Sequence, residues 1–399
     1  LDKLRVLYIN HTGNVSGAEI LIIRVTDELD PQHFEKIGMC PFDGKLHERF
    51  AEAMDHVEPL PMQSTTTGFY SRFKQYASSM AAVYRVMVKH RVHLVHANSF
   101  RAALIAAPVG LFLGKPVIWH MYDILQPKLK NVFIVRLYSR LVKKIVAVSN
   151  ATRDALLRVG AQKSKIKRIY NCLDREKIFQ SAQSDQQLLV NPAGDGPKIV
   201  MSGQITPWKG QDVLLNAIPT ILSTHPKAHF YFIGESHLPA DKEFQAQLKE
   251  QAKAVGIDNK INWMGFRRDG LALLKQADII VHCSVYPDPL PTVVMEGMAL
   301  ERLVVASDIG GVPEMVIDGV TGHLYSPGNS AALAKKIEEV LADPAEADQM
   351  AKRAGERVAE IFTMEKNIKE ILDLYEDALG TSMKQQLAAP QHEGNGRMI

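Results

Sequence analysis

The sequence predicts an α/β protein made of two successive doubly wound domains. Three observations predict it. Short, continuous apolar runs recur along the 399 residues, each followed by a helical stretch, and parallel strands covered on both faces read in this way. The alternation is broken once, at residues 180–197, QSAQSDQQLLVNPAGDGP, a polar stretch rich in Gln, Gly and Pro. It then restarts, so two βα-repeating halves joined by a linker are expected to face each other across a cleft.

In order, residues 4–9, LRVLYI, read as a short buried strand. His11 to Gly17 is a loop, and the chain is helical from Ala18. Apolar strands follow at Lys36–Pro41, Leu94–Ala97, Pro116–His120 and Lys144–Ser149, with helical stretches between them. After the linker, Lys198–Ser202 is a strand, Gly203–Gly210 a loop and Gln211–Ser223 a helix. Strands recur at Ala228–Ile233, Ile261–Met264, Asp278–Ser284 and Leu303–Ser307. Residues 363–379 form a last amphipathic helix, and the tail 381–399 has the composition of a disordered segment.

Composition narrows the class. Hydrophobic residues make up 46% and charged residues 23%, ordinary globular values that allow each half its own core. Cys40, Cys172 and Cys283 lie far apart with no metal or redox spacing, which suits a reducing compartment. No apolar run reaches the roughly 18–20 residues that span a bilayer, and no secretory signal is visible, so a cytoplasmic location is expected. Charge is uneven: residues 1–190 hold 27 Lys+Arg against 16 Asp+Glu, and residues 191–399 hold 20 against 28. A basic first half fits an anionic partner such as a membrane leaflet or a phosphorylated acceptor, and it equally fits a solvated basic face. Nothing in the pattern points to nucleic acid. There is no Asp-x-Asp, His-Glu-x-x-His, Gly-x-Ser-x-Gly, Walker or Gly-x-Gly-x-x-Gly motif, which argues against a dehydrogenase.

The chemistry concentrates after Asp278. The strand Asp278–Ser284 ends in a Pro-rich loop carrying Asp288, and a helix starting near Thr292 carries Glu296, eight positions further on. A second apolar strand, a Gly310-Gly311 turn and Glu314 follow. A strand end that opens on a helix N-terminus is where α/β folds hold phosphorylated ligands. The loop Gly203–Gly210 has the same setting, and its Lys209 can reach a diphosphate.

These residues resemble the donor-binding region of the retaining glycosyltransferases of family 4, which have the GT-B fold. The family's E-P-F-G, E-A-M-A, Val-Val-Ala-Ser/Thr and G-G-x-x-E blocks stand here as Asp288-Pro289-Leu290-Pro291, Glu296-Gly297-Met298-Ala299, Val304-Val305-Ala306-Ser307 and Gly310-Gly311-Val312-Pro313-Glu314. GQITPWKGQDVLLNAI resembles the family's G-R-x4-K-G-x-D-x-L-x-x-A, with Gln204 in place of the arginine. The resemblance runs over roughly residues 4–380.

It implies a GT-B enzyme: residues 1–180 completed by 364–380 bind the acceptor, 181–197 link, and 198–363 bind the nucleotide sugar, with the last helix crossing back to the first domain. By resemblance, Lys209 holds the diphosphate, and Glu296 takes the ribose hydroxyls, where the plain reading is a charge set against a helix dipole. Asp288 lies near the anomeric carbon, one methylene short of the family's Glu. Pro291 replaces a Gly and has no N–H, so the amides of Leu290, Thr292 and Val293 are expected to make the contacts. Glu301 and Leu303 replace a Gly and a Pro. Gly17, Gly203, Gln204 and Gly234 complete the donor site. Gly13, Ser16, Glu19 and Asn98 are assigned to the acceptor. His120, at a strand end, is expected to line the cleft, its structural alternative being an ordinary buried histidine. Asn150, Arg153 and Asn171 fit hinge positions or, more plainly, caps and turns.

The activity implied is retaining transfer of a sugar from a UDP- or GDP-sugar to a hydroxyl of a glycan or lipid-linked acceptor in surface polysaccharide or glycolipid synthesis. No cofactor and no metal are expected, with Asp288, Lys209 and His120 as the catalytic set. Peripheral contact with an anionic membrane at its inner face is expected from helices near 72–90 and 130–144, which mix Arg and Lys with Phe, Tyr, Val and Leu. Two other classes share the architecture: a GT-B epimerase or phosphorylase, and a non-catalytic nucleotide-sugar binder, the latter motivated by Gln204, Asp288 and Pro291.

Overall fold

The computed structural model describes residues 3–15, 17–62, 69–183, 189, 196–236 and 238–380. The chain forms two compact units. The first comprises the described residues up to Val148, Thr152–Ile169 and those from Asn367 on; the second comprises Ser149–Ala151 and Tyr170–Lys366. Most of the expected linker and all of the tail 381–399 lie outside the described residues.

The first unit is a parallel sheet with strands β1 (Leu4–Ile9), β2 (Phe34–Cys40), β3 (His56–Pro59), β4 (Leu94–Ala97), β5 (Val117–Met121), β6 (Lys144–Ala147) and β7 (Ile166–Arg168). Their order is β3-β2-β1-β4-β5-β6-β7. Helices α1 (Gly17–Asp27), α2 (Leu46–Ala53), α3 (Phe69–Lys89), α4 (Phe100–Phe112), α5 (Leu129–Leu141) and α6 (Asn150–Arg158) connect them, the first two residues of α6 belonging to the second unit. Ile9, Val95, Trp119 and Ile145 are fully buried in the core between sheet and helices. Strand order reverses between β1 and β4, and loops leaving the carboxyl ends of two such strands diverge to opposite faces, which opens a crevice there.

The second unit begins with α7 (Arg175–Ser181) and has strands β8 (Lys198–Ser202), β9 (His229–Ile233), β10 (Ile261–Gly265), β11 (Ile279–His282), β12 (Leu303–Ser307) and β13 (His323–Tyr325). Their order is β10-β9-β8-β11-β12-β13, so its switch point lies between β8 and β11. Helices α8 (Gln211–Thr224), α9 (Pro239–Ala254), α10 (Gly270–Lys275), α11 (Thr292–Ala299), α12 (Val312–Met315), α13 (Ser330–Ala342) and α14 (Pro344–Ile361) cover the sheet. The last helix, α15 (Met364–Leu379), packs with the first unit from Asn367 on, and its Tyr375 is fully buried there.

Both sheets are therefore of the Rossmann type. Three strands escape the apolar-run criterion: β3, HVEP; β7, IKR; and β13, HLY. All three are terminal strands of their sheets and are largely half-buried or exposed. A strand with one neighbour needs no continuous apolar run, and polar residues there protect the edge.

Glu301 explains a departure noted in the sequence. Its φ is +54, in the left-handed region that favours the family's glycine. Its carboxylate accepts from Arg175 Nη2 at 2.5 Å, both residues lying in the second unit.

Candidate functional site

In the second unit the loops after β8 and β11 meet at the switch point. Lys209 lies in a single turn before α8, and Asp288 in the loop before α11. Lys209 Nζ stands 2.5 Å from Asp288 Oδ2. The Asp288 residue is 6% exposed and the Lys209 side chain 19%, so the pair is largely withdrawn from water. The ammonium also sits 4.2 Å from the centre of the Trp208 ring, a favourable cation–π placement.

A second layer supports the carboxylate from below. His282, at the end of β11, places Nε2 3.5 Å from Asp288 Oδ2. Its ring is fixed by Ser284 Oγ at 3.0 Å from Nε2 and Ser307 Oγ at 3.4 Å from Nδ1. Burial alone would push the Asp288 carboxyl up, but the His282 hydrogen bond and the Lys209 charge outweigh it and hold the pKa down at about 2. Burial pushes the His282 pKa down, against the attraction of Asp288.

The Gly310-Gly311 turn clamps this loop from the next strand. Gly311 N donates to Asp288 O at 2.8 Å. Gly310 has φ +64, and a Cβ there would lie 2.1 Å from Asp288 O. Only glycine fits, which is the physical content of this motif. Glu314, four residues on, accepts from the backbone N–H of Asn150 and Ala151 at 2.7 and 2.8 Å and from the Tyr170 hydroxyl at 2.9 Å. Its place is structural, and so are those of Asn150 and Ala151 beside it.

Of the other residues expected at the donor, those after β8 and β9 stand at the carboxyl end of the same sheet. Gly203 and Gly234 end β8 and β9, and a Cβ on Gly234 would lie 1.9 Å from Gly203 O. Gln204 Nε2 donates to Asp241 Oδ2 at 3.2 Å, and Gln204 O accepts from Gln211 Nε2 at 2.9 Å. The residue in the arginine position is thus held against a carboxylate of α9. Leu290 is buried, whereas Thr292 and Val293, in the first turn of α11, are half-buried. Glu296 is half-buried one turn further on, between the buried Met295 and Gly297.

The first unit has a polar cluster at the carboxyl ends of β1, β4 and β5, which are neighbours in its sheet. Asn10 Nδ2 donates to Glu19 Oε1 at 2.9 Å, both buried. Asn98 Nδ2 lies 3.5 Å from Ala18 O. His120 Nδ1 is 2.9 Å from His96 Nε2, and His96 Nδ1 is 2.7 Å from the Tyr375 hydroxyl, which donates to Tyr8 at 3.2 Å. Burial lowers the His96 pKa to about 3, and burial together with His96 holds His120 well below the ordinary value, so both rings are neutral. Asn10 Oδ1, His11 Nδ1, Asn98 Oδ1 and His120 Nε2 are buried without a hydrogen-bond partner. All four belong to residues at the carboxyl ends of β1, β4 and β5, or in the loop just after β1.

The structure therefore gathers Glu19, Asn98 and His120, and it gathers Lys209 with Asp288. Gly17 is the exposed first residue of α1. Gly13 instead packs against Asp43 and Gly44, with its carbonyl accepting from Leu46 N. Ser16 lies outside the described residues. Sequence reasoning missed His282, Ser284, Ser307, Asn10, His96, Tyr375 and Tyr8. For His96, His282 and Ser307 the available signal was a polar residue in or ending an apolar strand; for Tyr375, on α15, there was none of that kind.

Comparisons with known proteins fit this geometry. The model of the glycosyl transferases group 1 matches residues 185–357, and that of glycosyltransferase family 4 matches residues 15–177. An uncharacterized glycosyltransferase of Methanocaldococcus jannaschii is 26% identical over 243 residues, 59% of this chain and 60% of the relative. The alpha-maltose-1-phosphate synthase of Mycobacterium tuberculosis is 29% identical over 246 residues, 58% and 62% of the two chains. The chain thus matches about three-fifths of the length of these curated relatives. Anabaena HepE in complex with UDP superposes with a TM-score of 0.80 at 22% identity, over 93% of this chain and 99% of that one. A glycosyltransferase from Rickettsia africae gives 0.80 at 21%, over 95% and 99%.

Proposed function

The chain belongs to the glycosyl transferases group 1, of the family 4 type with the GT-B fold, and on that premise we propose that it moves a sugar from a nucleoside diphosphate sugar to a hydroxyl of a glycan or lipid-linked acceptor, with retention at the anomeric carbon. The observation that carries this reading is the Lys209–Asp288 pair, buried on His282 at the switch point of the second sheet. Lys209 would take the diphosphate, together with the amides at the start of α11. Glu296 would accept from the ribose hydroxyls. Asp288 would face the developing positive charge at the anomeric carbon. Gln204, held by Asp241, brings no charge to the diphosphate, so the load falls on Lys209.

The departing phosphate would serve as the base for the incoming hydroxyl, on the face from which it leaves. His120, neutral and with Nε2 unpartnered, would orient a sugar or acceptor hydroxyl rather than carry a proton. Glu19 and Asn98 would serve the acceptor side. Anabaena HepE has been solved with UDP and with UDP-glucose, which supports a UDP-sugar as donor, and the reaction is proposed to need no metal. Leu129, Phe133 and Leu137 form an exposed stripe on α5 flanked by Lys130, Arg136 and Arg140. That stripe supports peripheral docking of a cytoplasmic protein on an anionic leaflet, and among the described residues no helix is long and apolar enough to cross a membrane. Absence of flotation with anionic vesicles at low salt would remove the docking reading.

The test is calorimetric titration with UDP, GDP and ADP, each with and without Mg²⁺, followed by transfer assays. The expected result is micromolar, metal-independent binding of UDP that is lost in Lys209→Ala. Transfer is expected to fall by about 100-fold or more in Lys209→Ala and Glu296→Ala, the scale of losing one preorganised group. Normal turnover in both variants would sink the assignment. Tight binding without transfer or donor hydrolysis would favour a nucleotide-sugar binder.

A further inference from the structure

The first unit carries a second grouping of chemically capable side chains, at the opposite end of its sheet from the cluster around His120. Glu35 is the second residue of β2, His56 the first of β3, and His90 follows the end of α3. Each brings one ligand atom to within 4.8 Å of the other two. The arrangement follows from strand register. Ile37 of β2 pairs with His56 of β3, and Glu35, two residues before Ile37, shares its face of the sheet. Glu35 and His56 are therefore diagonal neighbours on one face, and His56 Nε2 lies 3.3 Å from Glu35 Oε1. The end of α3 sets His90 against them, with the His56 and His90 ring centres 4.8 Å apart.

We infer that Glu35, His56 and His90 form a divalent metal site of the two-histidine, one-carboxylate kind, which ties the end of α3 to the outer strands β2 and β3. In a tetrahedral site with bonds near 2.0–2.1 Å, ligand atoms stand about 3.3 Å apart. The Glu35–His56 contact already has that spacing, and His90 needs to close in by no more than about 1.5 Å. Two imidazoles and one carboxylate suit Zn²⁺, and they suit Mg²⁺ and Ca²⁺ poorly. Glu58 Oε1 stands 2.8 Å from His90 Nε2, a second carboxylate that orients this ligand as outer-shell carboxylates do in metal sites. The same Glu58 takes Lys89 Nζ at 2.6 Å, so its own charge is balanced. The His56 side chain is 48% exposed and that of His90 9%, which gives an ion a path from solvent to an otherwise sheltered position. The three ligands lie near the amino ends of β2 and β3 and at the end of α3, at the opposite end of this sheet from the cluster after β1, β4 and β5. The site is structural, and it stands whether or not the transfer reading does.

The experiment uses the full chain without a polyhistidine tag, freed of metal on a chelating resin. Zn²⁺ is titrated calorimetrically against a chromophoric chelator, and melting curves are recorded with Zn²⁺ and with Mg²⁺. One Zn²⁺ per chain is expected, with a melting temperature raised by Zn²⁺ alone. His56→Gln and His90→Gln are each expected to weaken binding at least tenfold. His56 is exposed, so His56→Gln is expected to melt like the metal-free parent, and a lost affinity in it cannot be blamed on misfolding. X-ray absorption on the zinc-loaded protein is expected to show nitrogen and oxygen scatterers with two imidazoles. No stoichiometric Zn²⁺ at micromolar concentration, unchanged affinity in His56→Gln, or sulfur ligation from a cysteine would each overturn the inference.

Discussion

Asp288→Asn tests whether the switch-point pair of the second unit is an ion pair held together by its own electrostatics. In the folded protein the Asp288 carboxyl is pulled down to about 2 from its ordinary 3.8, although burial alone would raise it. Because the folded value is the depressed one, the stabilisation is fully present above pH 3.8 and is lost as the pH falls through about 2. A displacement of that size is worth on the order of 2 kcal/mol at pH 5 and roughly half as much at pH 3. Asparagine keeps the shape and cannot ionise, so the stability gap between wild type and Asp288→Asn should shrink by about 1 kcal/mol between those two pH values. Urea unfolding followed by tryptophan fluorescence measures it, and Trp208, stacked under Lys209, places a reporter beside the perturbed group. A gap that is the same at pH 5 and pH 3, or no gap at pH 5, would refute the reasoning. The pair would then be a crossing of two side chains with no net electrostatic gain.

Three further outcomes are expected. Gly310→Ala forces a Cβ to within 2.1 Å of Asp288 O at φ +64, so it should cost about 1–3 kcal/mol and lower transfer together with the melting temperature; a parent-like variant would show that the loop yields freely. Tyr375→Phe removes the hydroxyl shared by His96 and Tyr8 and should cost about 1–3 kcal/mol by stranding buried polar atoms, read from the unfolding of the first unit through Trp119; no change would mean that the hydroxyl is dispensable. Because burial and His96 keep His120 neutral, the pH–rate profile of transfer should show no ionisation of His120 between pH 6 and 8, and a limb near 6.5 abolished by His120→Gln would contradict this.

The two sheets were legible because their central strands are covered on both faces. LRVLYI, VIWHM and LVVAS are apolar or aromatic at all but one position each, a near-continuous run rather than an alternation. The terminal strands were not legible, for the converse reason: β3 has one neighbour and carries His56 and Glu58 at positions where a central strand would carry Val or Ile. The Gly310-Gly311 turn was legible as a motif, and its cause, the backbone of Asp288 pressed against it, became visible only in the fold.

The chemistry divides along the same line. Lys209, Asp288 and Glu296 stand in loops or at a helix start, where a charged residue costs little and its spacing to the next motif can be read along the chain. His96, His120, His282 and Tyr8 stand within or at the ends of buried strands, where each titratable ring carries a desolvation penalty unless something meets it. Some of the partners that meet them are distant in sequence: Tyr375 lies 279 positions from His96, and Ser307 lies 25 from His282, although Asp288 and Ser284 lie within six of it. A polar ring inside an otherwise apolar strand is thus a sign that another polar group has been placed to receive it. For His282 the receiving group is Asp288 and two serines, and the result is a rigid floor beneath Lys209. For His120 one ring nitrogen is received by His96 and the other is not. The His120 ring therefore keeps one nitrogen without a partner among the described residues, whereas both nitrogens of His282 are met, and under the proposed function that difference makes His120, and not His282, the histidine that would meet a ligand.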